Sequence, residues 1–150
     1  MAETLKIALT DGERQVVDAL GVSPAVNFLI GLYEEMQQRG ARSVTLLDEQ
    51  NEPHETFVPF LVRRSGLEGD RAFVDVPRDD AVSRLLELAP CREGAPESER
   101  LRRALALFMR ICRWVKESGI LGKVGLPDMR GRIQHQLDLS WMRPLLSISV

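Results

Sequence analysis

Cysteine and histidine are scarce in this chain. Among its 150 residues there are 2 cysteines and 2 histidines. Two cysteines cannot form the disulfide framework that stabilises small secreted domains. No cluster of Cys and His stands at the spacing of metal ligands, so we expect neither a metal site nor a cofactor. Cys112 falls on the apolar face of a predicted helix and is interpreted as a small core residue.

Long hydrophobic runs are absent as well. No apolar stretch approaches the roughly 20 residues that a helix needs to span a membrane, and the first residues lack the basic-then-apolar order of a secretory signal. Hydrophobic residues make up 44% of the chain and charged residues 28%, which is typical of a soluble globular protein. We therefore expect a cytoplasmic protein of bacterial type that forms a single domain, residues 1–150.

Familiar catalytic motifs are also missing. The chain has no G-x-S-x-G sequence. Residues 122–124, GKV, resemble the end of a P-loop, but Val124 replaces the Ser or Thr that would bind magnesium, and Glu117 stands where the first glycine is required. His54 and His135 have no neighbour at the spacing of a nucleophile and its base. These absences do not exclude an enzyme, but they favour a protein that is not one.

Charge is distributed unevenly along the chain. Residues 1–90 contain 9 basic and 16 acidic side chains, a balance of −7, whereas residues 91–150 contain 11 and 6, a balance of +5. The two balances add up to the net charge of −2. Such asymmetry indicates either a basic binding surface or an acidic and a basic half that pack together, within one chain or between subunits.

The longest helical pattern lies in the basic half, at residues 96–119. Pro96 suits the first position of a helix, and Gly119 is a stop signal. Apolar residues recur at spacings of three and four, the period of a helix: Leu101, Ala104, Leu105, Phe108, Cys112 and Val115. Arginines occupy the other faces. The pattern predicts a long helix that packs on a sheet and exposes a basic face.

Two helices are predicted before it, in the acidic half. Thr10 and Glu13 form a capping box for a helix that Gly21 closes. The Ser-Pro pair at 23–24 then begins a second helix, which ends near Gly40. Between residues 24 and 36 this helix is apolar on almost every side, so it must be buried on several sides or contribute to an interface.

Extended segments are predicted between and after the helices. Residues 43–47, 56–64 and 71–76 alternate like the strands of an antiparallel meander, with Pro59 at an edge or a bulge. Asp79 or Asp80 then caps a short helix that ends at Pro90. Residues 134–150 predict two strands, or a strand and a tail. The expected fold is α+β: an N-terminal helix pair, a three-stranded antiparallel meander, a long helix packed on the sheet, and C-terminal strands.

One local resemblance concerns the helix pair. Residues 16–33 resemble the helix-turn-helix of bacterial repressors, chiefly in Ala19-Leu20-Gly21-Val22-Ser23-Pro24. A recognition helix needs polar and basic residues that face the DNA groove. Here Asn27 is the main candidate for reading a base, and no Lys or Arg follows until Arg39. We interpret the segment as a helix hairpin and not as a DNA reader.

The favoured function is that of a non-enzymatic protein-binding module, such as an adaptor, chaperone, immunity or regulatory subunit, which also self-associates. The supporting features are the apolar second helix, the apolar C-terminus and the split charge. The residues expected to bind a protein partner lie on that helix: Phe28, Ile30, Leu32, Tyr33 and Met36.

Two alternatives remain open. The first is a nucleic-acid-binding regulator that uses the basic half, residues 100–132. Its expected anion-binding residues are Arg100, Arg103, Arg110, Arg113, Lys123, Arg130 and Arg132. The second is an enzyme or a sensor of a small ligand or nucleotide, built on a mobile glycine-rich loop at residues 119–131. An apolar pocket beside residues 119–125 with converging arginines would favour it.

Overall fold

A computed structural model describes residues 3–89 and 92–147 of the chain. It confirms an α+β fold with a helix pair near the N-terminus, a long helix and C-terminal strands. The helices are α1 (Asp11–Leu20), α2 (Val22–Arg39), α3 (Asp80–Leu88) and α4 (Glu97–Ser118). The strands are β1 (Thr4–Thr10), β2 (Val44–Leu47), β3 (Pro53–Phe57), β4 (Arg71–Pro77), β5 (Lys123–Pro127) and β6 (Ile133–Asp138).

The helix pair begins with the expected capping box. The Glu13 amide donates to Thr10 Oγ1 at 3.2 Å, and the Thr10 amide donates to Glu13 Oε1 at 2.8 Å. Gly21 lies between the two helices, which meet at 89°. Gly40 ends α2 in the left-handed conformation, with φ of 65°. Among the described residues, no single helix is long and apolar enough to cross a membrane.

The strands form two antiparallel sheets, so the predicted three-stranded meander is wrong. Strand β4 does not join β2 and β3 but pairs with β1, a strand that was not predicted. Strands β3, β2, β5 and β6 form the other sheet in that order. The predicted strand 56–64 ends at Phe57 because Pro59 starts a short 3₁₀ turn, Pro59–Leu61, and proline cannot donate to a ladder. The chain then runs irregularly to β4.

Helix α4 is the centre of the core. It packs against α1, α2, α3 and β1, and against a C-terminal 3₁₀ segment, Ser140–Ser147. Pro96 is the residue before the first helical position rather than the first, and Gly119 ends the helix with φ of 70°. Cys112 is fully buried, as expected, and its burial raises the pKa of the thiol. Pro90, the predicted end of the short helix, the second cysteine, Cys91, and the last three residues of the predicted segment 134–150 lie outside the described residues.

The predicted glycine-rich loop contains a buried strand instead. Strand β5 lies between β2 and β6, and Val124, Gly125 and Leu126 are buried within it. A Cβ atom at Gly122 would lie 1.9 Å from the carbonyl oxygen of Leu47. Glycine is therefore required there for close approach of the neighbouring backbone, not for mobility. Residues 122 and 124–126 are buried in or beside the packed sheet, which gives no support to the small-ligand alternative.

Candidate anion-binding site

A cavity of about 360 Å³ opens between the end of β1, the irregular segment 62–70 and α4. We call it the arginine cavity, because its lining includes Arg63, Arg64, Arg71 and Arg102. Two of these arginines come from the irregular segment, one from the start of β4 and one from the outer side of α4. The volume lies within the range of small-ligand sites in proteins.

Hydrogen bonds anchor the irregular segment beside the helix pair. Thr10 Oγ1 donates to the carbonyl of Leu67 at 2.8 Å, and the amide of Gly12 donates to the carbonyl of Glu68 at 3.0 Å. Ser65 is 2% exposed, and its hydroxyl donates to Glu13 Oε2 at 2.9 Å. The capping box of α1 thus also fixes the wall of the cavity. A segment without regular structure is held in one conformation by these contacts.

The four cavity arginines differ from most other arginines of the protein in having no acidic partner. Within residues 3–89 and 92–147, no carboxylate oxygen lies within 4.0 Å of their guanidinium nitrogens, whereas Arg39, Arg78 and Arg113 each form an ion pair. Four guanidinium groups and the two carboxylates of Glu13 and Glu68 line the cavity, so positive charge is in excess there and creates a local positive potential. The arrangement attracts an anion from solution.

Two acidic side chains, Glu13 and Glu68, also line the cavity. Both carboxylate oxygens of Glu13 accept hydrogen bonds, one from the Thr10 amide and one from the Ser65 hydroxyl. Glu68 acts on Arg113, where the hydrogen bond to Glu117 and, more weakly, the charges of Glu55 and Glu68 raise the pKa of the guanidinium. Neither Glu13 nor Glu68 forms an ion pair with a cavity arginine in the described part of the chain.

Apolar side chains are exposed near the cavity. Phe73 on β4 is 74% exposed and lies directly opposite Ala8 on β1, two positions after Arg71. Phe60 and Leu61, just before the arginine pair in sequence, are 48% and 67% exposed. Exposed aromatic and arginine side chains together are typical of binding surfaces.

A second, shallower cavity of about 200 Å³ continues from the first. It is lined by Lys6, Ala8 and Phe73 of the small sheet and by the outer side of α4 at Glu99 and Arg102. Ala8 and Arg102 line both cavities. The two cavities together form a groove that runs along β1 from Thr10 towards Lys6.

The apolar residues expected to bind a partner instead pack within the chain. Leu32, Tyr33 and Met36 are buried, and burial raises the pKa of Tyr33. Phe28 is half-buried, with its ring 5.9 Å from that of Phe108 and 5.7 Å from that of Trp141. Ile30 is partly buried against the same core. The sequence left two possibilities for this helix, burial on several sides or a place in an interface, and in the structure it is buried. These positions therefore give no support to the prediction that they bind a partner.

The predicted anion-binding residues are not brought together, and most are engaged within the chain. Arg100 donates to the carbonyl of Leu86, Arg103 faces Glu99 at 4.0 Å, Arg110 stands over the ring of Phe57 at 5.7 Å, Arg113 donates to Glu117 at 2.9 Å, Lys123 donates to Asn51 at 2.9 Å and Arg132 faces Asp128 at 3.8 Å. Arg130 is exposed on the turn between β5 and β6. None of the seven lines the arginine cavity.

Sequence reasoning missed the site because its members are far apart along the chain. The adjacent pair Arg63-Arg64 was a visible signal, but it lay in a predicted strand. Only the pairing of β4 with β1 brings Arg71 near Arg102 of the long helix. Three of the four arginines also come from residues 1–90, whose net charge is negative, so the charge distribution along the sequence does not indicate a basic surface there.

The described residues contain no group of three or more His, Cys, Asp or Glu that could hold a metal ion. Comparison of the chain with protein-family models, with curated proteins and with solved structures found no match. Its function is therefore inferred from the arginine cavity and the groove.

Proposed function

We propose that the protein is a non-enzymatic binding module that holds an acidic group of a partner protein in the arginine cavity. The observation that carries the proposal is the convergence of Arg63, Arg64, Arg71 and Arg102 on one cavity without a carboxylate partner in the described residues. The proposal places the protein in the cytoplasm, as an adaptor or regulatory subunit.

The chemistry of arginine supports a carboxylate ligand. A guanidinium group presents donors in a planar fork that matches both oxygens of a carboxylate or phosphate. Single exposed ion pairs contribute about 0–1 kcal/mol, so affinity requires several arginines acting together in a partly enclosed site. Exposed apolar side chains nearby, chiefly Phe73, add contact area that a free inorganic anion would not use. A protein segment uses both features.

Charge-matched double variants test the proposal. The probe is a fluorescein-labelled peptide of alternating glutamate and valine, and its binding is followed by fluorescence anisotropy. Replacing Arg63 and Arg64 by alanine should weaken binding by at least about tenfold. Replacing Arg130 and Arg143, two exposed arginines outside the cavity, removes the same charge and should change binding less than about twofold. Equal effects in the two double variants would refute the cavity as the binding site.

Nucleic acid is a second candidate because of Phe73. An exposed aromatic ring on a strand, two residues from Arg71, offers a stacking platform for a base beside a phosphate contact. A labelled thymidine oligonucleotide measures this alternative: its binding should fall steeply with salt and be lost in Phe73→Ala. We expect the acidic peptide to bind more tightly than the oligonucleotide at moderate salt, and the reverse order would favour nucleic acid.

Self-association remains part of the proposed function. The apolar residues first expected to mediate it are packed inside the chain. Among the described residues, the large apolar side chains that are exposed are Val58, Phe60, Leu61, Phe73, Met129 and Leu146. Size-exclusion chromatography with light scattering measures the mass of the protein in solution and so shows whether it self-associates. A strict monomer at high concentration would contradict self-association and would leave the binding of an acidic partner unaffected.

A further inference from the structure

We propose that the acidic partner segment binds in an extended conformation and adds a strand to the open edge of β1. This inference rests on the proposed function and specifies the conformation and direction of approach of the ligand. Added strands gain affinity from main-chain hydrogen bonds and specificity from alternate side chains. The groove described above provides both.

The strand register identifies the open edge. In the β1–β4 pair, Thr4 faces Pro77 and each later residue of β1 faces the preceding residue of β4. The carbonyl of Glu3 accepts a hydrogen bond from the Arg78 amide at 2.8 Å, so Glu3 and Arg78 form a hydrogen-bonded pair. Since such pairs alternate along an antiparallel ladder, every second residue of β1 after Glu3 bonds to β4. The residues between them direct their main-chain groups away from β4.

Lys6 and Ala8 are the open positions. The same alternation turns the amide of Thr10 away from β4, and that amide is found 2.8 Å from Glu13 Oε1, which agrees with the assignment. Lys6 and Ala8 have the same orientation, and within residues 3–89 and 92–147 no hydrogen bond outside the ladder reaches their main-chain groups. Both residues line the groove. Their unpaired amides and carbonyls are a template for another strand.

The length of the open edge of β1 suits a short extended segment. A strand advances about 3.3 Å per residue, so the stretch from Lys6 to Thr10 spans roughly 13 Å and matches about four or five residues of a partner. Ala8 has a small side chain, which leaves the ring of Phe73 on the neighbouring strand accessible from the edge of β1. Ala8 and Thr10 lie opposite Phe73 and Arg71, so these four residues share one face of the sheet. Alternate side chains of the added strand, which are the glutamates of the alternating peptide, therefore lie over Phe73 and the arginine cavity.

Charge selects an acidic segment over a second copy of this chain. Lys6 and Arg102 flank the open edge, and Glu99, the acidic residue nearest them in the groove, faces Arg103 at 4.0 Å. Pairing of β1 with β1 of another copy would bring Lys6 and Arg102 of both copies to one edge, and the repulsion between these positive charges opposes it. A lysine on an edge strand also opposes pairing with neutral strands.

N-methylation of the peptide probe tests main-chain pairing. Two variants of the alternating glutamate–valine peptide carry methyl groups on opposite sets of alternate amides. Pairing to the β1 edge should make one set weaken binding by at least about tenfold, whereas the other set, whose amides point away, should have less than about a threefold effect. Equal weakening by both sets, or by neither, would overturn the strand-addition proposal. Loss of binding in the cavity double variant would still support the acidic-partner function.

A substitution on the protein provides an independent test. Ala8→Pro removes an amide that does not bond to β4, and proline is tolerated at such edge positions. We expect at least about a tenfold loss of peptide binding with an unchanged circular dichroism spectrum, while Ala8→Ser, which keeps the amide, should bind within about twofold of the wild type. Full binding by a folded Ala8→Pro protein would overturn the proposal, as would tight binding of the thymidine oligonucleotide without binding of the peptide. If Ala8→Pro does not fold, the N-methylated peptides decide.

Discussion

Helix α2 and the segment from Phe60 to Phe73 use apolar residues in opposite ways. Helix α2 is apolar on nearly every side, and its large side chains are buried against α3, α4 and the C-terminal segment. The segment 60–73 is more polar, yet it leaves Phe60, Leu61 and Phe73 exposed beside four arginines. The more hydrophobic region is the structural one, and the less hydrophobic region carries the candidate site.

The two regions differ in whether the rest of the fold covers their apolar side chains. A helix that is apolar all round finds enough partners inside a domain of this size, because α4 and the C-terminal segment supply aromatic surface on its other side. A two-stranded sheet has one inner and one outer face, and in this protein nothing in the described residues covers Phe73 on the outer face. Apolar surface that remains after packing, and not apolar content, indicates where a partner binds.

The largest expected effect is on the free energy of unfolding, and it distinguishes a side chain of α2 from one of the segment 60–73. Leu32→Ala removes a fully buried side chain of α2 and should lower the free energy of unfolding by about 2–5 kcal/mol. Phe73→Ala removes an exposed ring and should change it by less than about 0.5 kcal/mol. Urea denaturation of both variants measures this contrast. Comparable destabilisation by the two substitutions would contradict the assignment of α2 to the core and of Phe73 to the surface.

Two glycines, Gly122 beside β5 and Gly31 in α2, differ in the space available for a side chain. Gly122→Ala places a Cβ 1.9 Å from the Leu47 carbonyl oxygen, so we expect a loss of about 1–3 kcal/mol or more in unfolding free energy. A Cβ at Gly31 in α2 would meet no atom within 4 Å, so Gly31→Ala should stabilise the protein by up to about 1 kcal/mol. Thermal unfolding distinguishes the two. A stabilising Gly122→Ala would mean that β5 is not packed as described.

The smallest expected effect concerns the ion pair between Arg78, the residue after β4, and Glu97, the first residue of α4. Arg78 donates to Glu97 at 2.9 and 2.5 Å, and these hydrogen bonds hold the pKa of the Glu97 carboxyl below its ordinary value of 4.5. A lowered carboxyl pKa stabilises the fold above that ordinary value and ceases to do so as the pH falls through the folded-state pKa.

We therefore expect wild-type protein to lose slightly more thermal stability than Glu97→Gln when the pH is lowered from 7 to about 3. Because the pair is exposed, the difference should be small. Parallel melting curves in a series of buffers provide the measurement. If Glu97→Gln loses as much stability as the wild type on acidification, the pair does not contribute in solution.

Local signals in the sequence predicted most of the helices. The Thr10–Glu13 capping box begins α1 where expected, and the left-handed glycines Gly40 and Gly119 end α2 and α4 where expected. These signals are readable because a cap depends on only a few neighbouring residues. Asp79 likewise caps α3 through the Val82 amide. The fold class followed from the order of these elements.

Strand pairing and the site were not predictable in the same way. Strand β1 is separated from its partner β4 by about sixty residues of sequence, and nothing local indicates that the chain leaves the larger sheet after β3, returns to β1 with β4, and rejoins the larger sheet with β5. The arginine cavity depends on that pairing. Gly122 and Gly125 were predicted to lie in a loop. Glycine is favoured both in flexible turns and where two backbones approach closely, so the sequence alone does not distinguish the two.

The most direct test of the arginine cavity as the functional surface is an NMR titration of ¹⁵N-labelled protein with the unmodified alternating glutamate–valine peptide. The account predicts that amide shifts change chiefly at Lys6, Ala8, residues 63–71 and Phe73, with side-chain shifts at Arg102, and that helix α2 and the turn at 128–131 stay unchanged. Shift changes concentrated on α2 or on that turn, or none at saturating peptide, would contradict it.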